Sequence, residues 1–482
     1  MQRIRMLAGV LSSLLFLVGG QFPAPQAPEQ RVSEARLAET VRTLVAFGPR
    51  MGGTGSGGRA AEWLEAQFRA AGLAVEARDD PEAWSHEATA WRVVAHVAPA
   101  QERVLERAWP WLYSPSAQGR ARLSLEPAQG VALLAERASA RSEKNSSPAV
   151  VLVDKPLSRD GEYPVLRSLA RGDANKFPVF GISAKESALL REALAAGRAV
   201  EIEYELAAIN RRARPRTVVA KLAARAGAAP GHVLLCAHGD SDAGGPGAND
   251  NASGVAIVLE AARALRASIE AGAIQAPARE LRFAIWGSEI HSSRAYLAAL
   301  DADPSPCLGV FNFDQSGYGS GAENLHLEPD DVPANRALVL DLAALLGERK
   351  GTAGWPARYA TNKSLGGTDS YVFSNSARFK DGAIPALSIF TSAWDKPETH
   401  PRTAGMPGES WSDAPTVAVD WDDYYHSTGD TPANTTDKEP HNMGWCARVA
   451  AVGALRYAES LERRAETAPA PTESPQSAPA RR

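Results

Sequence analysis

The sequence predicts an α/β protein, with a mostly parallel sheet that carries helices on both faces and an inserted β-rich domain. Between residues 216 and 460, the apolar runs HVLLCAH, ELRFAIWG, CLGVFNFD and IPALSIFT alternate with the amphipathic segments GVAIVLEAARALRASIEAG and NRALVLDLAALLGERKG. Strands that are apolar along their whole length are typical of a parallel sheet covered on both faces. A chain of 482 residues is also too long to fold around one small core, so we expect two domains plus tails.

The N-terminus has the pattern of an export signal. The basic stretch MQRIR precedes an apolar run of 15 residues, MLAGVLSSLLFLVGG, and the polar, proline-rich QFPAPQAPEQ follows. The run is short for a membrane span, so we predict a signal peptide over residues 1–21 and a periplasmic or secreted protein, with an uncleaved anchor as the alternative. No other apolar run is long enough to cross a membrane, so no membrane contact is expected beyond the export signal.

Residues 31–84 are predicted to be the helical N-terminal part of the larger domain, since RVSEARLAETVRTLVAFG and RAAEWLEAQFRAAGL have apolar positions at helical spacing. The glycine run GPRMGGTGSGG lies between them. It is not preceded by a strand or followed by Gly-Lys-Ser/Thr, so a flexible connection is predicted rather than a nucleotide site.

Residues 85–215 are predicted to form a separate β-rich insertion. TAWRVVAHVAP, ARLSLEP, AVVLVDK, FPVFGIS and VEIEYEL are strand-like, and AKESALLREALAAG is one clear helix with Ser183 as its cap. The segment has no cluster of potential ligands, so a lid or substrate-shaping role is expected. Residues 216–460 are the predicted α/β domain. The tail at 462–482 is too rich in proline, alanine and polar residues to form a core, so it is predicted to be disordered.

Charge and cysteine content exclude several classes of protein. The net charge of −4 and pI of about 6.2 do not indicate a nucleic-acid or anionic-membrane partner. The three cysteines form neither a spaced framework nor a CxxC pair, and Cys236 lies in an apolar run where a small buried side chain is expected.

Histidine and carboxylate side chains follow the predicted strands, at the edge where open α/β sheets bind ligands. The strand ends are followed by His238, Glu289 and Asp314, and Tyr425 and His426 lie in the polar loop DDYYHSTGDTPANTT. Such a mixed set suits zinc or a similar divalent ion.

The loop after the first strand of this domain offers a further carboxylate. Asp250 stands twelve residues after His238, and the glycines between them allow the chain to return to the strand end. Asp250 is then placed to bridge two metal ions roughly 3.5–4 Å apart.

At this point the sequence closely resembles a known family. FGPRMGGTGSGGRAAEWLEAQFRAAGL, AHGDSDAGGPGANDNASGVAIVLEAAR, FNFDQSG, GGTDSYVF and YYHSTGDTPAN follow in the order found in the co-catalytic zinc exopeptidases of the aminopeptidase Y, secreted bacterial aminopeptidase and glutamate carboxypeptidase II type, clan MH. The resemblance covers most of the mature chain, and residues 85–215 resemble the protease-associated domain that many members carry. It implies an exported zinc exopeptidase, with an aminopeptidase acting on peptides as the main expectation and two zinc ions per chain.

The resemblance also implies roles for matching residues. Four would be metal ligands, with the second bridging both ions: His238, Asp250, Asp314 and His426. Asp240 would orient the imidazole of His238, and Tyr425 would donate a hydrogen bond to the developing oxyanion. Asp369, in GGTDSY, would be a structural polar residue near the site. A cis peptide after Asp250 is a further expectation.

The chain departs from the family at one place. Two adjacent glutamates, a general base and a metal ligand, are expected after the strand LRFAIWG, but the chain reads Ser288-Glu289-Ile290. The ungapped match makes Glu289 the base and leaves isoleucine, which cannot bind a metal, in the ligand position. A shift by one residue makes Glu289 the ligand and Ser288 a poor base. We prefer the ungapped match and hypothesise that His291 replaces the missing ligand, with an exposed loop histidine as the alternative.

This departure keeps other functions open. An impaired site would hold one ion, and the protein would then be a metal- and peptide-binding member of the same fold. Carboxypeptidase or dipeptidase action and a glutaminyl-cyclase-like acyltransferase are further alternatives.

Overall fold

The computed structural model describes residues 26–135, 147–154, 161–241, 243–319, 324–362, 364, 366–374, 383–392, 399–401, 416–418 and 422–467. The predicted signal peptide lies outside them. None of the helices in this described part is both long and apolar enough to cross a bilayer.

The described chain alternates helices and strands. The helices are α1 Pro28–Arg31, α2 Glu34–Ala46, α3 Gly55–Ala70, α4 Ala184–Ala195, α5 Gly254–Glu270, α6 His291–Ala299, α7 Asn335–Arg349, α8 Ser370–Ser374, α9 His441–Arg448 and α10 Ala454–Thr467. The strands are β1 Ala74–Asp79, β2 Ala83–Val97, β3 Gln101–Val104, β4 Trp109–Pro110, β5 Ala117–Ser124, β6 Ala132–Ala135, β7 Val150–Val153, β8 Val179–Gly181, β9 Val200–Ala213, β10 Arg216–Leu222, β11 His232–His238, β12 Glu280–Trp286, β13 Cys307–Phe313, β14 Asn324–Pro329, β15 Arg358–Thr361, β16 Ala386–Phe390, β17 Thr399–Pro401 and β18 Thr416–Ala418. Short π turns cover Ala248–Ser253 and Val449–Gly453, and a 3₁₀ turn covers Leu300–Ala302.

The larger domain is built on an eight-stranded sheet in the order β1-β10-β12-β11-β13-β16-β14-β15. Its centre, β12-β11-β13-β16, is parallel, as are β14 and β15, whereas β1, β10 and β14 join their inner neighbours antiparallel. The predicted α/β class and parallel centre are confirmed, and the sheet is mixed towards its edges.

Helices cover both faces of this sheet, which explains why its central strands are apolar throughout. In β11, Val233 and Leu235 point into a core shared with α2, α3, α5 and α7. Leu234 and Cys236 point to the opposite core, which contains Tyr296 of α6 and residues of α8. Successive side chains of a strand face opposite sides, so a strand buried on both sides needs apolar residues at every position.

A second eight-stranded sheet, in the order β3-β2-β9-β5-β6-β7-β8-β4, lies between β1 and β10 in sequence. It begins at Ala83 and its last strand ends at Ala213, where the sequence predicted an insertion over 85–215. Ser183 caps α4 as expected, because its hydroxyl accepts from the Glu186 amide while the Glu186 carboxylate accepts from the Ser183 amide. Whether this domain is of the protease-associated type stays a prediction.

Three expectations need correction. Residues 31–84 are not wholly helical, since β1 extends the main sheet by pairing with β10. The disordered tail does not begin at residue 462, because α10 continues to Thr467 and Glu462 pairs with Arg279. The glycine run before α3 serves close approach rather than flexibility: a Cβ on Gly52 would lie 2.6 Å from the carbonyl oxygen of Gly287.

Candidate metal centre

The structure brings two histidines to opposite oxygens of one carboxylate. His238 Nε2 lies 3.3 Å from Asp250 Oδ1, and His426 Nε2 lies 3.2 Å from Asp250 Oδ2. His238 stands at the end of β11, and His426 comes from the loop before α9. Asp250 is thus placed between the two imidazoles, as a carboxylate that bridges two ions would be.

A second carboxylate completes the His238 side. Asp314 follows β13 and places Oδ1 3.5 Å from His238 Nε2, and this buried oxygen accepts no hydrogen bond from any described residue. Ligand atoms of a tetrahedral zinc ion, with bonds of about 2.0–2.2 Å, lie roughly 3.3–3.5 Å apart. The distances from His238 Nε2 to Asp250 and to Asp314 both agree with that spacing, so each carboxylate lies where it could share a zinc ion with His238.

Glu289 lies close to His238 and Asp314. One carboxylate oxygen of Glu289 and ligand atoms of His238 and Asp314 lie within 4.8 Å of one another. Burial alone would lower the pKa of His238, but the carboxylates of Asp314 and Glu289 outweigh it and raise that pKa well above its usual value. Burial would likewise raise the pKa of Asp250, yet its hydrogen bonds with His238 and His426 hold it well below its usual range. The site therefore attracts positive charge strongly.

Asp240 orients the first histidine. Nδ1 of His238 lies 3.0 Å from the Asp240 carbonyl oxygen and 3.2 Å from its Oδ1, which leaves Nε2 to face Asp250 and Asp314. The same Oδ1 accepts a hydrogen bond of 3.0 Å from the backbone amide of Glu289. One carboxylate thus fixes both the imidazole and the start of the loop that carries Glu289.

The loop that carries Asp250 is held by an aspartate that sequence reasoning missed. The carboxylate of Asp430 accepts hydrogen bonds from the backbone amides of Asn249, at 2.7 Å, and Asp250, at 3.0 Å. The Asn249 side chain donates to Asp422 at 2.7 Å. The peptide between Asp250 and Asn251 is cis, as the resemblance implied.

Arg50 is the second residue that sequence reasoning missed. Its side chain is buried, and its guanidinium donates to the carbonyl oxygens of Gly239, Pro246 and Gly247 at 3.1, 2.9 and 2.8 Å and to that of Leu44 at 3.4 Å. It thereby ties both ends of the loop between His238 and Asp250 to the segment before α3. No periodic pattern marks Arg50 or Asp430, because each acts on a loop distant in sequence.

Comparison with known proteins agrees with this geometry. Residues 217–451, from β10 to beyond α9, match peptidase family M28. These residues make up just under half of the chain, and over them the chain is similar to family M28.

Relatives of known name are similar to parts of this chain. Leupeptin-inactivating enzyme 1 of Streptomyces exfoliatus is 30% identical over 217 residues, 44% of this chain and 42% of that protein. Leucine aminopeptidase 2 of Trichophyton equinum is 25% identical over 346 residues, 69% of this chain and 62% of that protein. The chain spans between 26% and 62% of the length of the first curated relatives it matches.

Solved structures share the fold. The zinc aminopeptidase BSAP from Bacillus subtilis has 19% identity and a TM-score of 0.56, with 90% of this chain and 95% of that chain covered. The peptidase M28 precursor from Shewanella amazonensis has 17% identity and a TM-score of 0.59, with 89% and 95% covered. At these identities the likeness shows the fold alone.

The segment Ser288-Glu289-Ile290, where the chain departs from the expected pair of glutamates, forms a turn between β12 and α6. Ile290 has a φ of 58° and lies just before α6, and its side chain packs against the apolar core on that face of the sheet. Its amide donates to Asp369 Oδ1 at 2.7 Å, as does the hydroxyl of Ser293 at 2.5 Å. Asp369 is buried, which raises its pKa to about 7. Asp369 therefore anchors the rebuilt turn, in keeping with the structural role that the resemblance implied.

His291 is not placed at the centre. Its Nε2 lies 2.8 Å from the carbonyl oxygen of Pro81, in the connection between β1 and β2. Within the described residues, the group with ligand atoms close together contains Glu289 and not His291. The hypothesis that His291 replaces the missing glutamate finds no support in this geometry, because its Nε2 is engaged by the Pro81 carbonyl oxygen.

Tyr425 lies at the mouth of the centre. Its ring stacks on that of His426, with centroids 3.7 Å apart. Tyr425 also lines a cavity of about 230 Å³ together with Asp250, Glu289 and Asp314. Tyr425 therefore shares a cavity with two of the proposed ligands and with Glu289.

Proposed function

We propose that this chain is an exported, zinc-dependent aminopeptidase that removes N-terminal residues from peptides. The observation that carries the proposal is the position of Asp250, with one carboxylate oxygen on each of two histidines in a domain similar to family M28. The relatives named aminopeptidases support the direction of cleavage. The apolar run at residues 6–20 supports export.

The residues present would hold two ions. His238 with Asp250 and Asp314 would hold one ion, and Asp250 with His426 would hold the second. Zinc bound there would polarise the scissile carbonyl group and lower the pKa of water towards ~7. The second ion would have fewer protein ligands, because Ile290 stands where a carboxylate was expected.

We assign Glu289 as the general base. Its side chain is half-buried and lines both the cavity beside Asp250 and a larger cavity of about 640 Å³ that opens next to it. From there it would take the proton of the attacking water and return it to the leaving amine. Asp240 holds the Glu289 amide, and Tyr425 would donate a hydrogen bond to the oxyanion.

The inserted domain is proposed to shape the substrate cavity. The amide of Leu166 donates to the carbonyl oxygen of His426 at 2.6 Å, and the amide of Thr428 donates to that of Pro164 at 3.3 Å. Val165 and Ser427 form a β-bridge. The insertion therefore contacts the loop that carries His426 directly.

The test is hydrolysis of leucine p-nitroanilide and short peptides by the zinc-equilibrated mature protein. We expect activity that a chelator removes, and a loss of about 10²–10⁴-fold in kcat in Glu289→Gln with zinc content retained. Glu82→Gln, on an exposed side chain, is the matched control and should keep full activity. Absence of hydrolysis from any aminoacyl substrate would refute the proposal.

A second candidate follows from Ile290, which leaves the His426 side short of a ligand. A non-catalytic member would bind peptides in the same cavity without cleaving them. Equal amounts of intact peptide before and after long incubation, together with zinc-dependent peptide binding, would favour this candidate.

A further inference from the structure

The cavity of about 640 Å³ beside the metal centre is lined by both domains. The peptidase domain contributes Glu289, His426 and Arg294, and the insertion contributes Arg167 and Arg171. Three arginines thus line one cavity that also reaches the proposed base and one proposed ligand. Its volume is within the range of about 300–1,000 Å³ usual for small-molecule sites.

The backbone of Arg167 is fixed next to the centre. The preceding residue, Leu166, donates its amide to the carbonyl oxygen of His426 at 2.6 Å, and the Arg167 carbonyl oxygen accepts from the Leu112 amide at 3.0 Å. Arg167 is therefore held between the His426 loop and the segment after β4. Its side chain is exposed, and the neighbouring residue Leu166 contacts the proposed ligand His426 directly.

Arg294 enters the same cavity from the other domain. It lies in the first turn of α6, where its amide donates to the carbonyl oxygen of Ile290 at 3.2 Å. The turn that contains it begins directly after Glu289. The positions of Arg167 and Arg294 are thus tied by short backbone connections to His426 and Glu289, respectively.

None of these three guanidinium groups forms an ion pair with a carboxylate of the described residues. All three side chains are exposed, and none makes an ion pair or hydrogen bond with a described residue. By contrast, Arg107 of the insertion lies 2.7 Å from Glu162. In a chain of net charge −4, three unpaired guanidinium groups around one cavity favour an anionic ligand, and the planar guanidinium suits a carboxylate in particular.

We propose that this cavity selects peptide substrates by a carboxylate group, which Arg167, Arg171 and Arg294 bind. The inference rests on the proposed function and names its substrate class. The carboxylate has two sources, the free C-terminus of a short peptide or the side chain of an acidic residue.

The experiment compares matched peptides with the full mature, zinc-loaded protein. Leu-Ala against Leu-Ala-amide tests the terminal carboxylate, and Leu-Glu-amide against Leu-Gln-amide tests the acidic side chain. We expect kcat/KM to be at least tenfold higher for the carboxylate member of one or both pairs, chiefly through KM, and the ratio to fall as salt is raised. In the triple variant Arg167→Gln, Arg171→Gln, Arg294→Gln the ratio should approach one.

Arg122→Gln is the control, since Arg122 is exposed on the insertion and does not line this cavity; it should leave the ratio unchanged. A preference in the first pair alone assigns the cavity to short peptides, and one in the second pair alone assigns it to acidic side chains. A ratio near one in the unmodified protein, or a ratio that survives the triple substitution, would overturn the inference.

Failure of the proposed function can be distinguished from failure of this inference. If no peptide is cleaved, calorimetric binding of the same pairs to the zinc-loaded protein measures the carboxylate preference without catalysis. A tenfold tighter binding of the carboxylate member, lost in the triple variant, would support the inference; equal binding of both members would overturn it.

Discussion

Replacement of Arg50 by methionine tests how the metal-site loop is held. The substitution removes three hydrogen bonds of 2.8–3.1 Å and one of 3.4 Å, and it leaves four carbonyl oxygens buried without this donor. Burial lowers the pKa of Arg50 only to about 10, so the side chain is charged at neutral pH. A net loss of about 1 kcal/mol per bond gives a destabilisation of about 4 kcal/mol.

Urea-induced unfolding of the metal-free protein, followed by circular dichroism, measures this loss. Zinc titration of the folded variant should also show weaker binding, because the loop that Arg50 ties down leads to Asp250. The control is Arg59→Met: Arg59 is exposed and makes one bond of 3.4 Å, to Phe47, so it should cost no more than about 0.5 kcal/mol. A loss below about 1 kcal/mol in Arg50→Met would refute the reasoning.

Three further predictions concern the main sheet and the loops beside the centre. Burial, and after it the charge of Arg282, lower the pKa of His232 to about 4. Below about pH 6.5 the unfolded chain therefore protonates this histidine while the folded protein does not, so the free energy of unfolding should fall by about 2 kcal/mol from pH 7 to pH 5. Unfolding curves of His232→Gln should lack this part of the decrease. His291→Ala should keep the zinc content of the unmodified protein by elemental analysis, and loss of one ion would contradict the placement of its ring on Pro81. Gly52→Ala should lower the melting temperature and cost about 1–3 kcal/mol of unfolding free energy, because the added Cβ would meet the Gly287 carbonyl oxygen. Gly58→Ala is the control: it lies in α3, nothing lies within 4 Å of the added Cβ, and the melting temperature should rise. A lower melting temperature in both variants would contradict this account.

The sequence could predict the central sheet and most of the centre for one physical reason. Strands buried on both faces are apolar at every position, so β11, β12 and β13 are visible as runs, and polar residues at their ends must meet at one edge. His238, Asp314 and Glu289 follow from that rule. The structure places Asp250 among them because the glycine-containing loop returns to the strand end, as the spacing predicted.

The rest depended on contacts between distant segments. Arg50 precedes the Asp250 loop by about 200 residues in sequence, and Asp430 follows it by 180. No local sequence pattern indicates contacts between segments so far apart. The orientation of His291 depends on Pro81, which the insertion boundary brings close. Strand β1 was missed because its burial is partial, so it lacks the apolar run that marks the central strands.

The zinc content of the folded protein tests the central claim most directly. The mature protein, equilibrated with zinc and freed of excess, is weighed by native mass spectrometry beside His426→Ala. The account predicts two ions per chain in the unmodified protein and one in His426→Ala, because His238, Asp250 and Asp314 remain to hold the first. A single ion in both proteins would contradict a centre in which Asp250 bridges two metals.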